Sequence, residues 1–379
     1  MLAILGLQSL APLFPEITTE IPLTMAQMGW AIGVFNLASP VFTPIGGVLA
    51  DRHGCRWVLG LGFLIMAVAS GLRFYVDSAH QLIACMLLYG VGFAPIGAIV
   101  PKALSNYFPP EQIGKVNGLA FAGFGVGGAI ALATAAPILS PAFGGWRASM
   151  LVFGALSFLA VLAWIIFYRD PPSATMPASH GEQSMGDSFR RVLAIRDIWL
   201  LSITYALLML GTWTVLALLP AMLENRGVSP GLASIVMFSA IVFNVLGGVI
   251  SDRIGRRKPI LIVCAVALVI ALPMLVDASG PLLVAALFLA GVSFGALIPV
   301  ATAIPVEMKG IGPALAGTAV GVMFMIGNTG GFLGPAVSGW LIDTFHTPWA
   351  GFGFATAAAV IAVFTASQLT ETGQAVQKG

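Results

Sequence analysis

The chain has 379 residues, of which 58% are hydrophobic and only 8% charged, and its formal net charge is +2. A soluble domain carries about 25% charged residues, so no water-facing surface can be built from this supply, and a soluble fold is excluded. So small a charge balance gives no footing for nucleic acid, and the partner implied instead is a lipid bilayer.

Apolar stretches of about 17–25 residues, the length that carries a helix across a bilayer, recur from one end to the other. They predict spans at 2–20, 26–49, 57–76, 80–103, 114–139 and 147–168, then at 198–222, 230–250, 259–276, 281–304, 312–336 and 349–368. Lipid offers backbone groups no hydrogen-bond partner, and long apolar runs rather than alternation mean helices. The expected fold class is therefore an all-α integral membrane protein with twelve transmembrane helices. In the first span about fourteen residues precede Pro15, so either its start is trimmed or its helix continues through Glu20. No basic leader or small-residue cleavage site is visible, and a cleaved signal peptide is not expected.

Between the second and third spans lies a polar hairpin, Gly47-Val48-Leu49-Ala50-Asp51-Arg52-His53-Gly54-Cys55-Arg56. A second copy, Gly248-Val249-Ile250-Ser251-Asp252-Arg253-Ile254-Gly255-Arg256-Arg257-Lys258, lies between the eighth and ninth. The two aspartates stand 201 residues apart (252 − 51 = 201), which fits a duplicated helical unit. The division expected is a six-helix half at 1–168, a cytoplasmic linker at 169–197 and a second six-helix half at 198–379. In each hairpin the glycines permit close approach, the aspartate accepts hydrogen bonds or pairs with arginine, and Arg52, Arg56, Arg253 and Arg256 supply positive charge. With both hairpins cytoplasmic, only Arg73, Arg147 and Arg226 fall near outer ends, leaving 14 of the 17 basic residues inside. That asymmetry places both termini in the cytoplasm.

The long polar segment from Asp170 to Asp197 opens on Pro171-Pro172-Ser173 and has a linker's composition. Its end, Phe189 to Arg196, mixes basic and apolar residues as an interfacial helix would. In the fifth span Gly123 to Gly128 formally matches a dinucleotide fingerprint, but no strand precedes it and no water-facing helix start follows. Glycines at four-residue spacing, Gly29/Gly33, Gly291/Gly295, Gly317/Gly321, Gly327/Gly331 and Gly330/Gly334, mark helix-crossing surfaces instead. The carboxylates Glu16, Asp77, Glu224, Asp277, Glu307 and Asp343 all fall near predicted helix ends, and none at mid-membrane. Cys55, Cys85 and Cys264 suggest no structural disulfide. His53, His80, His180 and His346 hold no metal-ligand spacing, so neither a metal, a cofactor nor a catalytic centre is expected.

The duplicated hairpin resembles the signature of the Major Facilitator Superfamily, G-x-L-A-D-R-x-G-R-K; the first copy departs from it at Cys55, which replaces the first basic residue, and Trp57 follows Arg56. The resemblance implies two pseudo-symmetric six-helix halves and a secondary transporter or facilitator that moves a small solute by alternating access. It also implies that Asp51 approaches the start of the eleventh helix, Gly310-Ile311-Gly312-Pro313, when the cytoplasmic side is closed. Tyr89-Gly90-Val91-Gly92, Pro101-Lys102, Phe108-Pro109-Pro110, Asn117-Gly118 and Asn328-Thr329-Gly330-Gly331 look like the subgroup of cyanate, nitroimidazole and nitrate/nitrite porters. Nitrate porters carry arginine in the second and eighth helices, where this chain has uncharged residues such as Asn36 and Asn244. Met86 stands where the family's antiporters place an arginine ahead of Gly90. The first, fourth, seventh and tenth helices usually line the family's cavity, which implies Gln8, Ser9, Tyr89, Thr204, Tyr205, Thr212, Trp213, Ser293 and Phe294 as lining, with Asn36, Asn244 and Asn328 as further candidates. The substrate implied is a small organic molecule or a monovalent anion, carried by a monomer in a bacterial or archaeal inner membrane. A proton-coupled drug or metabolite exporter is the alternative, as is a non-transporting sensor or lipid scramblase on the same fold.

Overall fold

The computed structural model describes residues 1–108, 110–170, 185–308 and 310–373. Every regular element among them is helical, as a backbone without water requires. Among the described residues, ten of the twelve expected spans are long and apolar enough to cross a membrane: Met25–Ala50, Cys55–Tyr75, Ala122–Phe143, Trp146–Phe167, Arg196–Asn225, Pro230–Ile254, Lys258–Asp277, Gly280–Glu307, Leu315–Phe345 and Pro348–Ser367.

The first and fourth spans are interrupted helices. The first runs as Leu2–Gln8, a tight turn Ala11–Leu13 and Phe14–Glu20, so its path does continue through Glu20. Pro15 sits in the first turn of the last segment, where its missing N–H costs nothing. The fourth is Ala79–Phe93 followed by Ile96–Ser105, broken at Pro95. Proline removes a donor and crowds the preceding turn, which is enough to reset a helix.

Two other boundaries differ from the expected ones. The eleventh helix, Gly312–Phe345, runs nine residues beyond the predicted end at 336, because Pro335 lies inside it without stopping it. It ends where His346 takes a left-handed backbone, φ 53°. The fifth helix, Pro110–Thr134, widens into a π-type turn at Ala135–Leu139 around Pro137. Before the seventh span a short helix, Met185–Leu193, exposes Arg190 and Arg191 and buries Val192, the amphipathic pattern expected there. Residues 171–184 of the predicted linker lie outside the described residues.

The chain forms two compact units, Met1–His180 with Ala217–Ser234, and Gly181–Leu216 with Ile235–Gly379. In the first, a Cβ on Gly90 would lie 2.6 Å from the Phe35 carbonyl and 3.1 Å from Ala38, which brings the second and fourth spans into backbone contact. Gly291 stands in the same way against Val236 and Ser239, joining the eighth and tenth spans of the second unit. Hydroxyl and amide bonds repeat the scheme: Thr43 Oγ1 donates to the Ala94 carbonyl at 2.9 Å, and Asn244 Nδ2 to the Gly295 carbonyl at 3.5 Å. Each residue has its counterpart 201 positions later, so the duplication is one of contacts as well as sequence.

Of the glycine pairs, Gly291/Gly295 and Gly330/Gly334 are crossing points, and so is Gly327: Gly330 meets the Ala206 backbone, Gly334 that of Leu210, and Gly327 the Tyr205 ring. Gly29 and Gly33 are buried. Gly317 and Gly321 correct the expectation, since a Cβ on either would meet nothing within 4 Å. Hydroxyl pairs reinforce the second unit, Thr204 with Thr365 at 2.8 Å and Thr214 with Ser338 at 3.2 Å. Leu61, Leu159, Ile166, Phe167, Val263 and Phe364 are exposed, the outward apolar surface that acyl chains cover. At one end of the first unit Arg147 ties three spans together: it donates to Glu20 at 2.9 Å, to the Phe74 and Val76 carbonyls at 2.7 and 2.8 Å, and to Asp77 at 3.3 Å.

This packing separates two glycine classes by experiment. Gly330→Ala must push the seventh span away and is expected to cost about 1–3 kcal/mol, lowering the melting temperature of the purified protein. Gly317→Ala, in open space on the same helix, is expected to leave it unchanged or raise it, since alanine is the better helix former by about 1 kcal/mol. Equal melting temperatures for the two variants would refute the assignment.

Candidate functional site

The two hairpins are built by the same rule. In the first, the helix Phe35–His53 ends at Gly54, whose φ of +84° suits glycine alone, and the third span restarts at Cys55. The chain leaving the sixth span returns Asp170 to this restart. Its Oδ1 accepts from the Cys55 N–H at 3.0 Å and its Oδ2 from the Arg56 N–H at 2.9 Å. A side chain on Gly54 would collide with that carboxylate. Arg56 donates through Nε to the Ile165 carbonyl at 3.1 Å and accepts at its own carbonyl from Trp164 Nε1 at 3.0 Å. The hairpin therefore fastens the third span to the end of the sixth.

In the second unit Glu371, 201 residues after Asp170, does the same work. Its Oε1 accepts from the Arg257 N–H at 2.8 Å and the Lys258 N–H at 3.1 Å, at the start of the ninth span. A carboxylate there faces unpaired donors and the positive end of the helix dipole, worth about 0.3–1 kcal/mol or more where partly buried. Arg257 also closes an ionic clamp. It donates to Glu307 through Nε at 3.2 and 3.1 Å and through Nη2 at 2.7 Å, and through Nη1 to Asp252 at 2.5 Å and Ser251 at 3.0 Å. Glu307 is the heart of the clamp, being only 18% exposed against 66% for Asp252. The hydrogen bonds that Arg257 donates to Glu307 outweigh burial and hold its guanidinium above the ordinary arginine range.

Two expectations change. Arg256 is exposed, and the paired arginine is Arg257. The 201-residue spacing aligns Arg56 with Arg257 and Cys55 with Arg256, so strict use of the offset identifies the right residue. The close glycines are Gly46, against Pro95, and Gly247, against Ala296, each one position before the signature glycine. A Cβ on Gly47 would meet nothing within 4 Å and one on Gly248 only Pro299 at 3.9 Å, because one step along a helix turns a residue away from its neighbour. Gly255 keeps the turn role, with φ +69°. Arg52 and Arg253 are exposed. The Asp51 side chain and its contact with the eleventh helix lie outside the described residues. Asp170, Glu307 and Glu371 were not among the expected site residues, because no local motif marks them; only the offset and the fold do.

The polar candidates are mostly buried. In the first unit Gln8 is buried with both amide atoms unpartnered, as is Asn36 with its Nδ2, while Ser9 bonds its own helix at Gly6. Tyr89 lies buried with its ring beneath Arg73. In the second unit Thr212 and Ser293 are buried with unpartnered hydroxyls, Trp213 is buried, and Asn328 is partly exposed. Thr204 is engaged by Thr365 and Asn244 by Gly295. Tyr205 is packed on Gly327 and meets the Phe324 ring edge-on at 5.6 Å.

Removing one member of a buried ion pair strands the other's charge. Arg257→Met is therefore expected to cost about 3–5 kcal/mol, and Arg257→Met with Glu307→Leu to recover most of it. Thermal melts of the single and double variants measure this, and a double variant as unstable as the single would rule out the clamp.

The sequence model for the Major Facilitator Superfamily matches residues 1–239 and 201–377. The hexuronate transporter of Bacillus subtilis (strain 168) is 26% identical across 92% of this chain and 86% of its own length. The probable nitrate transporter NarT of Staphylococcus carnosus (strain TM300) is 25% identical across 97% of this chain and 92% of its own. A crystal structure of the nucleoside transporter NupG superposes with a TM-score of 0.78 at 17% identity, covering 97% of this chain and 98% of that one.

Proposed function

The chain belongs to the Major Facilitator Superfamily, and on that premise we propose that it is a secondary transporter of a small anionic solute, a monovalent inorganic anion or an organic acid, moved by alternating access. The observation that carries this reading is the pair of fastened hairpins 201 residues apart, which makes two equivalent helical units of one chain. Such duplication is the usual architecture of carriers that present one site to either side of a membrane in turn. The relatives' names support the solute class: a hexuronate carries a carboxylate, and nitrate is a monovalent anion. We place the protein in the inner membrane of a bacterium or archaeon, as a monomer with both termini cytoplasmic and six-helix halves at 1–168 and 198–379. The groups proposed to meet the solute are Gln8 and Asn36 in the first half and Thr212, Trp213, Ser293 and Asn328 in the second.

The chemistry is non-covalent, and Glu16, Asp77, Glu224, Asp277 and Asp343 fall near the ends of the predicted spans. No carboxylate falls at the middle of a predicted span, so proton coupling through a desolvated mid-membrane carboxylate is not expected. Uptake of nitrate and of glucuronate into proteoliposomes, with and without imposed gradients, tests the reading. Flux is expected to depend weakly on pH between about 5.5 and 8, where ordinary carboxylates stay ionised. Strict proton-gradient dependence abolished by neutralising Glu16, Glu307 or Asp343 would establish the proton-coupled alternative. Absence of flux for both probes would remove the anion assignment.

Packing divides the candidates further. Tyr205→Ala is expected to lower stability by about 3–5 kcal/mol, as loss of a buried aromatic does, and to leave solute affinity near normal. Thr212→Val and Asn328→Ala are expected to raise the apparent KM at nearly unchanged melting temperature. The reverse pattern would exchange these roles.

A further inference from the structure

The chain approaches the seventh span as a short helix, Met185–Leu193, and enters Arg196–Asn225 with only Ala194 and Ile195 between them. The join is held by hydrogen bonds. The Ala194 N–H donates to the Arg190 carbonyl at 3.2 Å, the Ile195 N–H to the Val192 carbonyl at 3.1 Å and the Ile198 N–H to the Ile195 carbonyl at 3.2 Å. Trp199 reaches back across it, its Nε1 donating to the Leu193 carbonyl at 2.8 Å, one of those a helix leaves over at its end. Val192 and Ile198 are fully buried, and the short helix packs on the eleventh helix within the second unit. Short helix and span start are therefore one fixed piece.

The outward side of this piece combines two chemistries. Arg190, Arg191 and Arg196 are exposed, and among the described residues none of them makes an ion pair. Asp197, partly buried, is the one carboxylate from 189 to 200, so positive charge prevails. Phe189 and Trp199 are 37% and 44% exposed in the same stretch. Water would solvate the guanidinium groups but leave the rings uncovered, whereas acyl chains would cover the rings but strand the charges. Both needs are met in the headgroup layer, where aromatic rings collect and basic side chains meet phosphate. The piece stands at that depth, because the apolar run of the seventh span begins at Ile198, directly after Arg196 and Asp197.

We propose that Phe189, Arg190, Arg191, Arg196 and Trp199 form a docking surface for a phospholipid of net negative charge. Charge complementarity selects the headgroup: the arginines take the phosphate diester through charge-assisted hydrogen bonds, and the upper acyl chains cover the two rings. The surface rests on the chain's spanning a membrane and not on which solute it carries, so its failure would leave the transport reading untouched. Each arginine near an anionic lipid surface strengthens association about fivefold, and three together about a hundredfold.

The test uses the full-length protein in neutral maltoside micelles, titrated with phosphatidylglycerol or with phosphatidylcholine of the same acyl chains. A ligand of the folded state raises the melting temperature saturably. Such a rise is expected with phosphatidylglycerol and not with phosphatidylcholine, its half-saturation moving to higher lipid fractions as salt shortens the Debye length below about 10 Å. Arg190→Gln, Arg191→Gln and Arg196→Gln combined are expected to lower the apparent association about a hundredfold. Arg253→Gln with Arg256→Gln, which removes two exposed arginines of the second hairpin, is expected to leave it nearly unchanged. Should the triple variant melt too low to titrate, the headgroup preference and salt dependence of the wild type decide. An equal rise with phosphatidylcholine, insensitivity to salt, a folded triple variant that binds as the wild type does, or an equal loss in the hairpin variant would each overturn the proposal. So would the same saturation with glycerol phosphate, which has no acyl chains and would make this a site for a soluble phosphate.

Discussion

A backbone in lipid has nowhere to send its hydrogen bonds except to itself, and everything else in this molecule follows from that constraint. Helices satisfy it along their length and fail at their ends, where the first N–H groups and last carbonyls are left over. The restarts of the third and ninth spans are where this failure is repaired from a distance. Asp170 and Glu371, each arriving from the far end of its own half, supply acceptors for pairs of N–H groups. A hairpin that looks local is thereby completed by residues more than a hundred positions away.

Apolar attraction between helices is weak in a medium as apolar as the helices, so close backbone contact and a few polar bonds determine which surfaces meet. The second span meets the fourth, and the eighth the tenth, at matching glycines, Gly90 and Gly291, with Thr43 and Asn244 bonding matching carbonyls. The two units are not identical in their charges. Arg257 finds Glu307, whereas Arg56 finds a main-chain carbonyl, and the position 201 residues before Glu307 is Asn106. The ionic clamp of the second unit thus has no carboxylate at the position matching Glu307 in the first, an asymmetry available for the two halves to differ in function. Arg73 shows the same economy from the other side: a charge kept away from water, with fewer acceptors around it than it has donors.

Composition and run length determined the membrane class, the helical fold and the spans, because the bilayer's thickness and dryness act on any sequence alike. The duplicated hairpin determined the family and the pseudo-symmetry, and its 201-residue offset already contained Arg257, had it been applied to every position. Only the tertiary structure decided that Gly46 and Gly247 rather than Gly47 and Gly248 carry the close contacts, since one residue turns a helix position by about 100° and no motif records which face has a neighbour. It alone decided that Pro95 breaks a span while Pro335 does not, and that Asp170, Glu371 and Glu307 reach the hairpins. Those outcomes depend on which groups packing brings within 3 Å of each other, and distances along a folded chain are not distances along its sequence.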